Sequence, residues 1–219
     1  MLGVLSFDLD GTLIRKGFDD IFRNELIPQI FAERNKTSFE QAQKFILDEY
    51  DRIGSDDPRW YIPEYWFERF SLSANIQEVL NRVKYAEGIY DDVYLLGDFS
   101  KNYRVVISTN NARILLEHKL QVLKQVRQFI SYTFSSVSDF NKIVKSEEFY
   151  TSVCKRMAIK PEQMLHIGDD PKHDLAIPRS VGVNALLIDR EQKIDGERVI
   201  HSLAELKRML QTQHFLSET

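Results

Sequence analysis

The opening residues constrain the fold of this chain more than any other segment. A mostly apolar run over residues 2–7 leads directly into Asp8 and Asp10, which are followed by Gly11 and Thr12. A short apolar run that ends at a turn signal is typical of a buried strand. Acidic groups at the carboxyl end of such a strand lie where open α/β sheets bind ligands. We therefore expect Asp8 and Asp10 to face one small volume beyond the strand.

Two acids so close together predict a charged partner. Their carboxylates repel one another, and they need a cation, a shared proton or well-directed hydrogen bonds. The alternative interpretation is a strand that ends in a solvated acidic turn. Three further segments of the chain favour the first interpretation.

Composition excludes several classes of protein. The chain has 219 residues, 43% hydrophobic and 28% charged, which is enough for a sizeable core in one or two domains. The net charge of −4 gives no sign of a nucleic acid or anionic membrane as partner. The single cysteine, Cys154, excludes an internal disulfide and fits a reducing compartment. Without an apolar run long enough to span a bilayer, we predict a soluble, cytoplasmic monomer or homodimer.

The spacing of apolar residues changes along the chain. Between Lys16 and about Gly88, apolar and aromatic residues recur at helical spacing, and both tryptophans fall in this region. The sequence Thr37-Ser38-Phe39-Glu40 is a capping-box pattern that predicts one helix start, and Asn75 predicts another. We therefore expect residues 16–88 to form a mostly α-helical unit.

Outside that region, predicted strands alternate with predicted helices. The strands cover residues 103–109, 130–135, 164–168 and 183–188, and the helices cover residues 111–126, 146–157 and 203–211. Such alternation predicts a parallel sheet with helices on both faces. The helical unit is then an insertion after the first strand. This gives a core of residues 1–15 and 89–219 and a cap of residues 16–88, joined by two linkers that allow hinge closure.

Four segments resemble the sequence motifs of one superfamily. They are Asp8-Leu9-Asp10-Gly11-Thr12, the strand Val105-Val106-Ile107-Ser108-Thr109 with Asn110, Lys145 before a helix, and Gly168-Asp169-Asp170 followed by Asp174. Each motif alone is a weak to moderate signal, whereas all four in this order are a strong one. Across residues 2–189 the chain resembles the haloacid dehalogenase-like hydrolase superfamily.

The resemblance implies both a fold and a reaction. The fold is a Rossmann-like, doubly wound α/β core with a mostly α-helical cap. The reaction is the Mg²⁺-dependent hydrolysis of a small phosphorylated metabolite through an aspartyl-phosphate, as in the phosphatase branch of the superfamily. Asp8 is the implied nucleophile and is already ionised at neutral pH. Asp10 is the implied general acid and base.

A metal site is implied as well. Its ligands are Asp8, Asp169 and the backbone carbonyl of Asp10, which leaves the Asp10 side chain for proton transfer. Asp174 is expected to orient Lys145 or a metal-bound water. His166, within the preceding strand, is expected to be a histidine with satisfied hydrogen bonds rather than a ligand.

Three residues are expected to bind the phosphate: Thr109, Asn110 and Lys145. The start of a helix just after Asn110 offers free N–H groups to an anion, and Lys145 supplies a positive charge. Ser108 is the alternative to Thr109, because alternate residues of a strand face opposite sides. Lys142 is the alternative to Lys145.

The second acid also distinguishes the reactions of the superfamily. Its dehalogenases lack an acid at the place of Asp10, because a departing halide needs no proton, so the resemblance favours a phosphatase. A phosphomutase, a 2-haloacid dehalogenase and a non-enzymatic binding protein of the same fold are the alternatives. The predicted cap is expected to select the substrate. Trp60 or Tyr61 is a candidate for the pocket wall, whereas the spacing of Trp66 and Phe70 favours the core of the cap.

Overall fold

The computed structural model describes residues 1–83 and 88–212. At its centre is a parallel sheet of six strands: β1 (Val4–Phe7), β2 (Arg104–Thr109), β3 (Ile130–Ser135), β4 (Met164–Gly168), β5 (Asn184–Ile188) and β6 (Val199–Ile200). Their order across the sheet is β3-β2-β1-β4-β5-β6. The chain therefore winds outward in two directions from β1, and the predicted Rossmann-like, doubly wound α/β fold is confirmed.

A helical insertion lies between β1 and β2. Its helices are α1 (Phe18–Ile21), α2 (Ile27–Asn35), α3 (Phe39–Ile53), α4 (Pro63–Arg69) and α5 (Ile76–Leu80). Phe22–Leu26 joins α1 to α2 as a π-helical segment, and Pro58–Tyr61 is a 3-10 turn before α4. The division into a core of 1–15 and 89–219 and a cap of 16–88 stays a prediction, and its second boundary borders residues 84–87, outside the described residues.

The insertion has a hydrophobic cluster of its own. Trp66 and Phe70 lie in it, with 2% and 5% of their surfaces exposed, as their spacing predicted. Leu115, which follows β2, belongs to the same cluster. It is part of the sheet domain, by which we mean the six strands and the helices that cover them. The insertion therefore packs directly on the sheet domain through apolar contacts.

Side-chain caps set the starts of two helices in the insertion. The Ser38 hydroxyl accepts a hydrogen bond from the Gln41 backbone N–H at 3.3 Å, so α3 begins one residue later than a cap at Thr37 would place it. The Asn75 carboxamide accepts from the N–H of Gln77 at 2.9 Å, and the predicted cap of α5 is confirmed.

The remaining helices cover the two faces of the sheet. They are α6 (Leu96–Phe99), α7 (Arg113–Val122), α8 (Ser136–Phe140), α9 (Glu147–Met157), α10 (Ile177–Ser180) and α11 (Leu203–Thr212). Leu5 and Phe7 face one side, in a cluster with residues of α6, α7 and α11. Val4 faces the other side, in a cluster with residues of α9. Alternation along β1 thus buries both faces of the sheet.

The observed elements differ from the predicted ones in a few places. Helix α7 covers Arg113–Val122, so it begins two residues later and ends four residues earlier than predicted. It cannot begin sooner because Ala112 has a non-helical ψ angle of 153°. Strand β6 was not predicted, since two residues are too short to show a periodic pattern. Within the described residues, no helix has the length and apolarity needed to cross a membrane.

Candidate active site

The parallel sheet brings three of the predicted segments to one edge. Phe7 is in register with Ile107 of β2 and with Ile167 of β4, so the carboxyl ends of these three strands lie side by side. Asp8 follows β1 directly, and Thr109 ends β2. A cavity of about 320 Å³ opens at this edge, lined among others by Asp8, Asp10, Lys16, Thr109, Asn110, Lys145, Asp169, Asp170 and Asp174.

A series of buried polar contacts runs from Asp8 through Lys145 and Asp174 to His166. Lys145 is 2% exposed, and its ammonium group pairs with the Asp8 carboxylate and, at 2.5 Å, with Oδ1 of Asp174. The same Oδ1 lies 2.9 Å from Nε2 of His166. Nδ1 of His166 is 2.9 Å from the Ser6 hydroxyl. His166 therefore has polar partners on both ring nitrogens, as predicted, and Asp174 holds Lys145 beside Asp8.

Burial and neighbouring charges have opposite effects on the pKa values of Asp8, Lys145 and Asp174. Burial raises the pKa of Asp8 well above its ordinary value, and the attraction of Lys145 offsets this only in part. Burial also opposes the charged form of Lys145, but Asp174 and Asp8 outweigh it and raise the pKa of Lys145. For Asp174, Lys145 and His166 outweigh burial and hold the pKa well below its usual range. The ammonium group is therefore charged at neutral pH.

Three carboxylates form a potential metal site. One oxygen each from Asp8, Asp169 and Asp174 lies within 4.8 Å of the others. Carboxylate oxygens are the donors that Mg²⁺ and Ca²⁺ prefer, so this donor set fits a hard divalent cation. The sequence had pointed to Asp174 as an orienting group rather than a ligand. The Asp10 side chain pairs with Lys119 instead, and the expected contribution of its backbone carbonyl stays a prediction.

Lys16 places a positive charge at the same cluster. Its ammonium group forms an ion pair with Asp169, although most of the lysine side chain is exposed. A lysine in a linker is usually solvated, so a local pattern does not predict this ion pair. Burial raises the pKa of Asp169, which Lys16 partly counteracts.

Gly11 allows the first loop to approach Asp169. Its φ angle is +74°, a left-handed conformation that glycine adopts at little cost. A Cβ atom at this position would overlap the Asp169 carboxylate and lie 2.7 Å from Cε of Lys16. The glycine in the first motif is therefore required by both the backbone conformation and the space beside the acidic cluster.

Substitution of Gly11 by alanine should perturb the acidic cluster as well as the backbone. Gly17→Ala is the matched control, because Gly17 also has a positive φ angle, +113°, but a Cβ there would have no neighbour within 4 Å. We expect both variants to lose about 1–2 kcal/mol from backbone strain. Only Gly11→Ala should weaken Mg²⁺ binding as measured by calorimetric titration. Equal Mg²⁺ affinities in the two variants would contradict this prediction.

The Asp10 carboxylate is held by two partners outside the predicted site. Asn111 donates from Nδ2 to Oδ2 at 2.6 Å, and Lys119 lies 2.8 Å from both carboxylate oxygens. Lys119 is fully buried in α7 and also lies 3.0 Å from Oδ1 of Asp19 in the insertion. Burial alone would lower the pKa of Lys119, but Asp10 and Asp19 outweigh it and raise that pKa.

The geometry separates the alternatives that the sequence left open for the phosphate. Thr109 lines the cavity, whereas the Ser108 hydroxyl lies 2.9 Å from the Ser6 hydroxyl within the sheet. Lys145 is beside Asp8, whereas Lys142 is 39% exposed at its side chain and pairs with Glu148. Thr109 and Lys145 are therefore the members of each pair that face the site.

Asn110 lines the cavity, but its side-chain oxygen accepts hydrogen bonds from within the protein. Its Oδ1 accepts hydrogen bonds from the Lys145 backbone N–H at 2.8 Å and from the Ser136 hydroxyl at 3.2 Å. The side chain thus fixes the segment that carries Lys145. The expected contact of Asn110 with phosphate stays a prediction.

Lys119 and Asn111 were missed at the sequence level. A signal was present for Lys119, because it occupies a core-facing position of α7 together with the buried Leu116 and Leu120. A lysine on an otherwise apolar helix face needs a buried anionic partner. Asn111 follows the second motif directly and offered no separate pattern.

The insertion contributes part of the cavity wall through Asp19, Arg23, Trp60 and Tyr61. The Arg23 guanidinium stacks 3.5 Å from the Trp60 ring centroid and donates a hydrogen bond to the Trp60 carbonyl at 2.8 Å. The sequence offered Trp60 or Tyr61 as a candidate for the pocket wall, and both line the cavity.

Comparison with known families now settles the membership of the chain. The family model described as haloacid dehalogenase-like hydrolase matches residues 3–182. The chain belongs to the haloacid dehalogenase-like hydrolases. This hydrolase carries all four predicted motifs within the matched range, and residues of all four line the cavity at the acidic edge of the sheet.

Individual relatives show how far the similarity extends. The GMP/IMP nucleotidase YrfG of Escherichia coli (strain K12) is 29% identical over 65 residues, which is 30% of this hydrolase and 29% of the nucleotidase. The HAD phosphatase from Thermococcus onnurineus has a TM-score of 0.77 and 22% identity, over 96% of this chain and 98% of that chain. The 2-haloacid dehalogenase from Pseudomonas syringae pv. Tomato DC3000 has a TM-score of 0.67 and 18% identity, over 97% and 100%. These two structural similarities show the shared fold.

Proposed function

We propose that this hydrolase is a Mg²⁺-dependent phosphatase that hydrolyses a small phosphorylated metabolite through an aspartyl-phosphate on Asp8. One observation carries the proposal. Asp8 lies beside Lys145 and within the acidic cluster, while the Asp10 carboxylate is held separately by Asn111 and Lys119. Two acids from one short segment thus have two different environments, which suits two different chemical roles.

The first step transfers the phosphoryl group to Asp8. A carboxylate oxygen of Asp8 attacks phosphorus, and the bond between phosphorus and the leaving oxygen breaks. Asp10 gives its proton to that oxygen, so the product leaves as an alcohol. Lys145 balances negative charge beside Asp8 as the phosphoryl group arrives.

The second step releases phosphate and restores the protein. Asp10, now a carboxylate, takes a proton from a water molecule as the water oxygen attacks phosphorus. The bond between phosphorus and the Asp8 oxygen breaks, which regenerates the Asp8 carboxylate and frees inorganic phosphate. Asp10 is then protonated again and ready for the next substrate molecule.

Asp8, Asp169 and the Asp10 carbonyl would hold the Mg²⁺, with Asp174 next to them. The bound ion supplies positive charge that draws the phosphate and the Asp8 carboxylate together. Lys16 would give up its ion pair with Asp169 when the metal binds. Thr109 and the free N–H groups that follow it would bind the remaining phosphate oxygens.

Asp10 favours a phosphatase over a 2-haloacid dehalogenase. A departing halide needs no proton, so a dehalogenase has no use for a second acid held by a buried lysine. A non-enzymatic binding protein would need neither Asp8 nor Asp10 in this arrangement. A phosphomutase would use both acids, and product analysis distinguishes it because it releases no inorganic phosphate.

Nucleoside monophosphates belong in the substrate panel for two reasons. A relative over 65 residues is a GMP/IMP nucleotidase. In addition, the cavity wall formed by the insertion contains Trp60 and Tyr61, and aromatic rings stack with planar bases. Sugar phosphates and phosphorylated organic acids complete the panel.

Release of inorganic phosphate from this panel tests the proposal. We expect turnover with Mg²⁺, its loss in EDTA and its recovery when Mg²⁺ is returned. Asp169→Asn should need at least about tenfold more Mg²⁺ for half-maximal activity, since it removes a charged ligand. Asp20→Asn is the control, because it removes the same charge from the cavity wall outside the acidic cluster. Undiminished phosphate release in EDTA would refute the metal-dependent mechanism.

A further inference from the structure

Lys119 is a buried charge that the steps above do not use. It lies on the core-facing side of α7 with no exposed surface, and Leu116 and Leu120 beside it are 0% and 3% exposed. A lysine at such a position costs folding free energy unless its ammonium group is fully paired. The role of Lys119 therefore depends on the groups that pair with its ammonium group.

Four oxygens surround the Lys119 ammonium group. Nζ lies 2.8 Å from Oδ1 and 2.8 Å from Oδ2 of Asp10, 2.9 Å from Oδ1 of Asn111 and 3.0 Å from Oδ1 of Asp19. It also lies 4.9 Å from the centroid of the Phe18 ring. Asp10 and Asn111 follow strands of the sheet, whereas Phe18 and Asp19 belong to α1 of the insertion.

We propose that Lys119 is the positioning residue for Asp10 and ties that carboxylate to the insertion. This inference rests on the proposed function, in which Asp10 transfers the proton. Among the described residues, Oδ2 of Asp10 accepts from Asn111 and Lys119, whereas Oδ1 accepts from Lys119 alone. The carboxylate plane is thereby fixed, and Oδ1 keeps one free position for the proton that Asp10 gives to the leaving oxygen and later takes from the water.

The contact of Lys119 with Asp19 links the orientation of the Asp10 carboxylate to the position of the insertion on the sheet domain. When α1 rests on the sheet domain, Lys119 bridges the acid of the first motif and an acid of the insertion. Withdrawal of α1 would remove Asp19 and leave the ammonium group to Asp10 and Asn111 alone. Proton transfer by Asp10 is therefore coupled to closure of the insertion over the substrate.

Lys119→Met tests the positioning role through the leaving group. An alkyl phosphate needs a proton on its leaving oxygen, whereas p-nitrophenolate leaves without one. We expect kcat for the alkyl phosphate to fall about 10²-fold or more with little change in KM. With p-nitrophenyl phosphate, a burst of one equivalent of p-nitrophenolate should precede a slow steady state, because only the second step still needs Asp10.

Two further variants separate positioning from general damage. Lys207→Met is the matched control, since Lys207 pairs with Asp98 away from the cavity, and its activity should stay within about twofold of the wild type. In the Asp10→Asn background, adding Lys119→Met should cost no further activity, because Lys119 acts through Asp10. The double variant removes a charge together with its partner, so it remains testable even if Lys119→Met alone does not fold. A further loss in the double variant would overturn the proposal.

Hydrogen exchange provides a readout that is independent of activity. Amides of residues 18–21 should exchange faster in Lys119→Met than in the wild type, and Lys207→Met should leave them unchanged. Unchanged exchange in Lys119→Met would overturn the link to the insertion. Absence of phosphate release by the wild type would instead contradict the proposed function, so the two failures are distinguishable.

Discussion

Asp8→Asn is expected to reduce phosphate release by at least about 10³-fold, the largest loss of activity foreseen for any single substitution. Asparagine keeps the size of the side chain but removes the carboxylate that attacks phosphorus. Steady-state phosphate release with the best substrate of the panel measures the loss. Acid quench with a ³²P-labelled substrate should trap a phosphoprotein in the wild type and none in the variant.

Folding of this variant should be preserved, which makes the result interpretable. Asp8 is 7% exposed, and burial raises its pKa, so the charged form is disfavoured in the folded protein. The neutral amide removes that cost, while Lys145 keeps Asp174 as a partner. Thermal unfolding without metal should therefore give a midpoint equal to or above that of the wild type. Turnover by a folded Asp8→Asn protein at the wild-type rate would rule out the aspartyl-phosphate.

Lys145→Met is expected to produce the largest loss of stability together with a loss of activity. The lysine is buried between Asp8 and Asp174, so its removal leaves two carboxylates without their shared cation. Breaking a buried ion pair from one side costs about 3–5 kcal/mol. Urea unfolding without metal measures this change, and activity is then assayed at a temperature where the variant is folded.

Lys142→Met supplies the comparison for that substitution. Lys142 is only three residues away, but its side chain is 39% exposed and its partner Glu148 is 70% exposed. An exposed pair contributes about 0–1 kcal/mol, so this variant should unfold close to the wild type. Equal losses of stability in the two lysine variants would contradict a stabilising role for the buried ion pairs of Lys145 with Asp8 and Asp174.

Much of the fold and part of the site followed from local patterns. Strand β4 was predicted with its observed bounds, because an apolar run buried on both faces ends sharply at Gly168. The convergence of Asp8, Thr109 and Asp169 followed from parallel pairing, since the carboxyl ends of parallel strands share one edge. The choice of Lys145 over Lys142 needed the structure, because both lie in the same short segment before α9.

The remaining parts of the site depend on contacts between distant segments. Lys119 is 109 residues from Asp10 along the chain, and no local pattern specifies which acid an inward-facing lysine meets. Lys16 illustrates the same limit, because a lysine in a linker is usually solvated. Its ion pair with Asp169 depends on the pairing of β1 with β4, which brings the two distant segments together.

The helical insertion leaves the sheet domain and returns to it at neighbouring points. Ile14 and Ile89 form an antiparallel bridge, and the Arg15 N–H donates to the Gly88 carbonyl at 2.9 Å. A segment whose two ends meet in this way can be lengthened, shortened or exchanged for another without changing the path of β1 or β2. Evolution and protein engineering can therefore alter the part of the cavity wall that the insertion contributes while β1, β2 and the residues that end them stay in place.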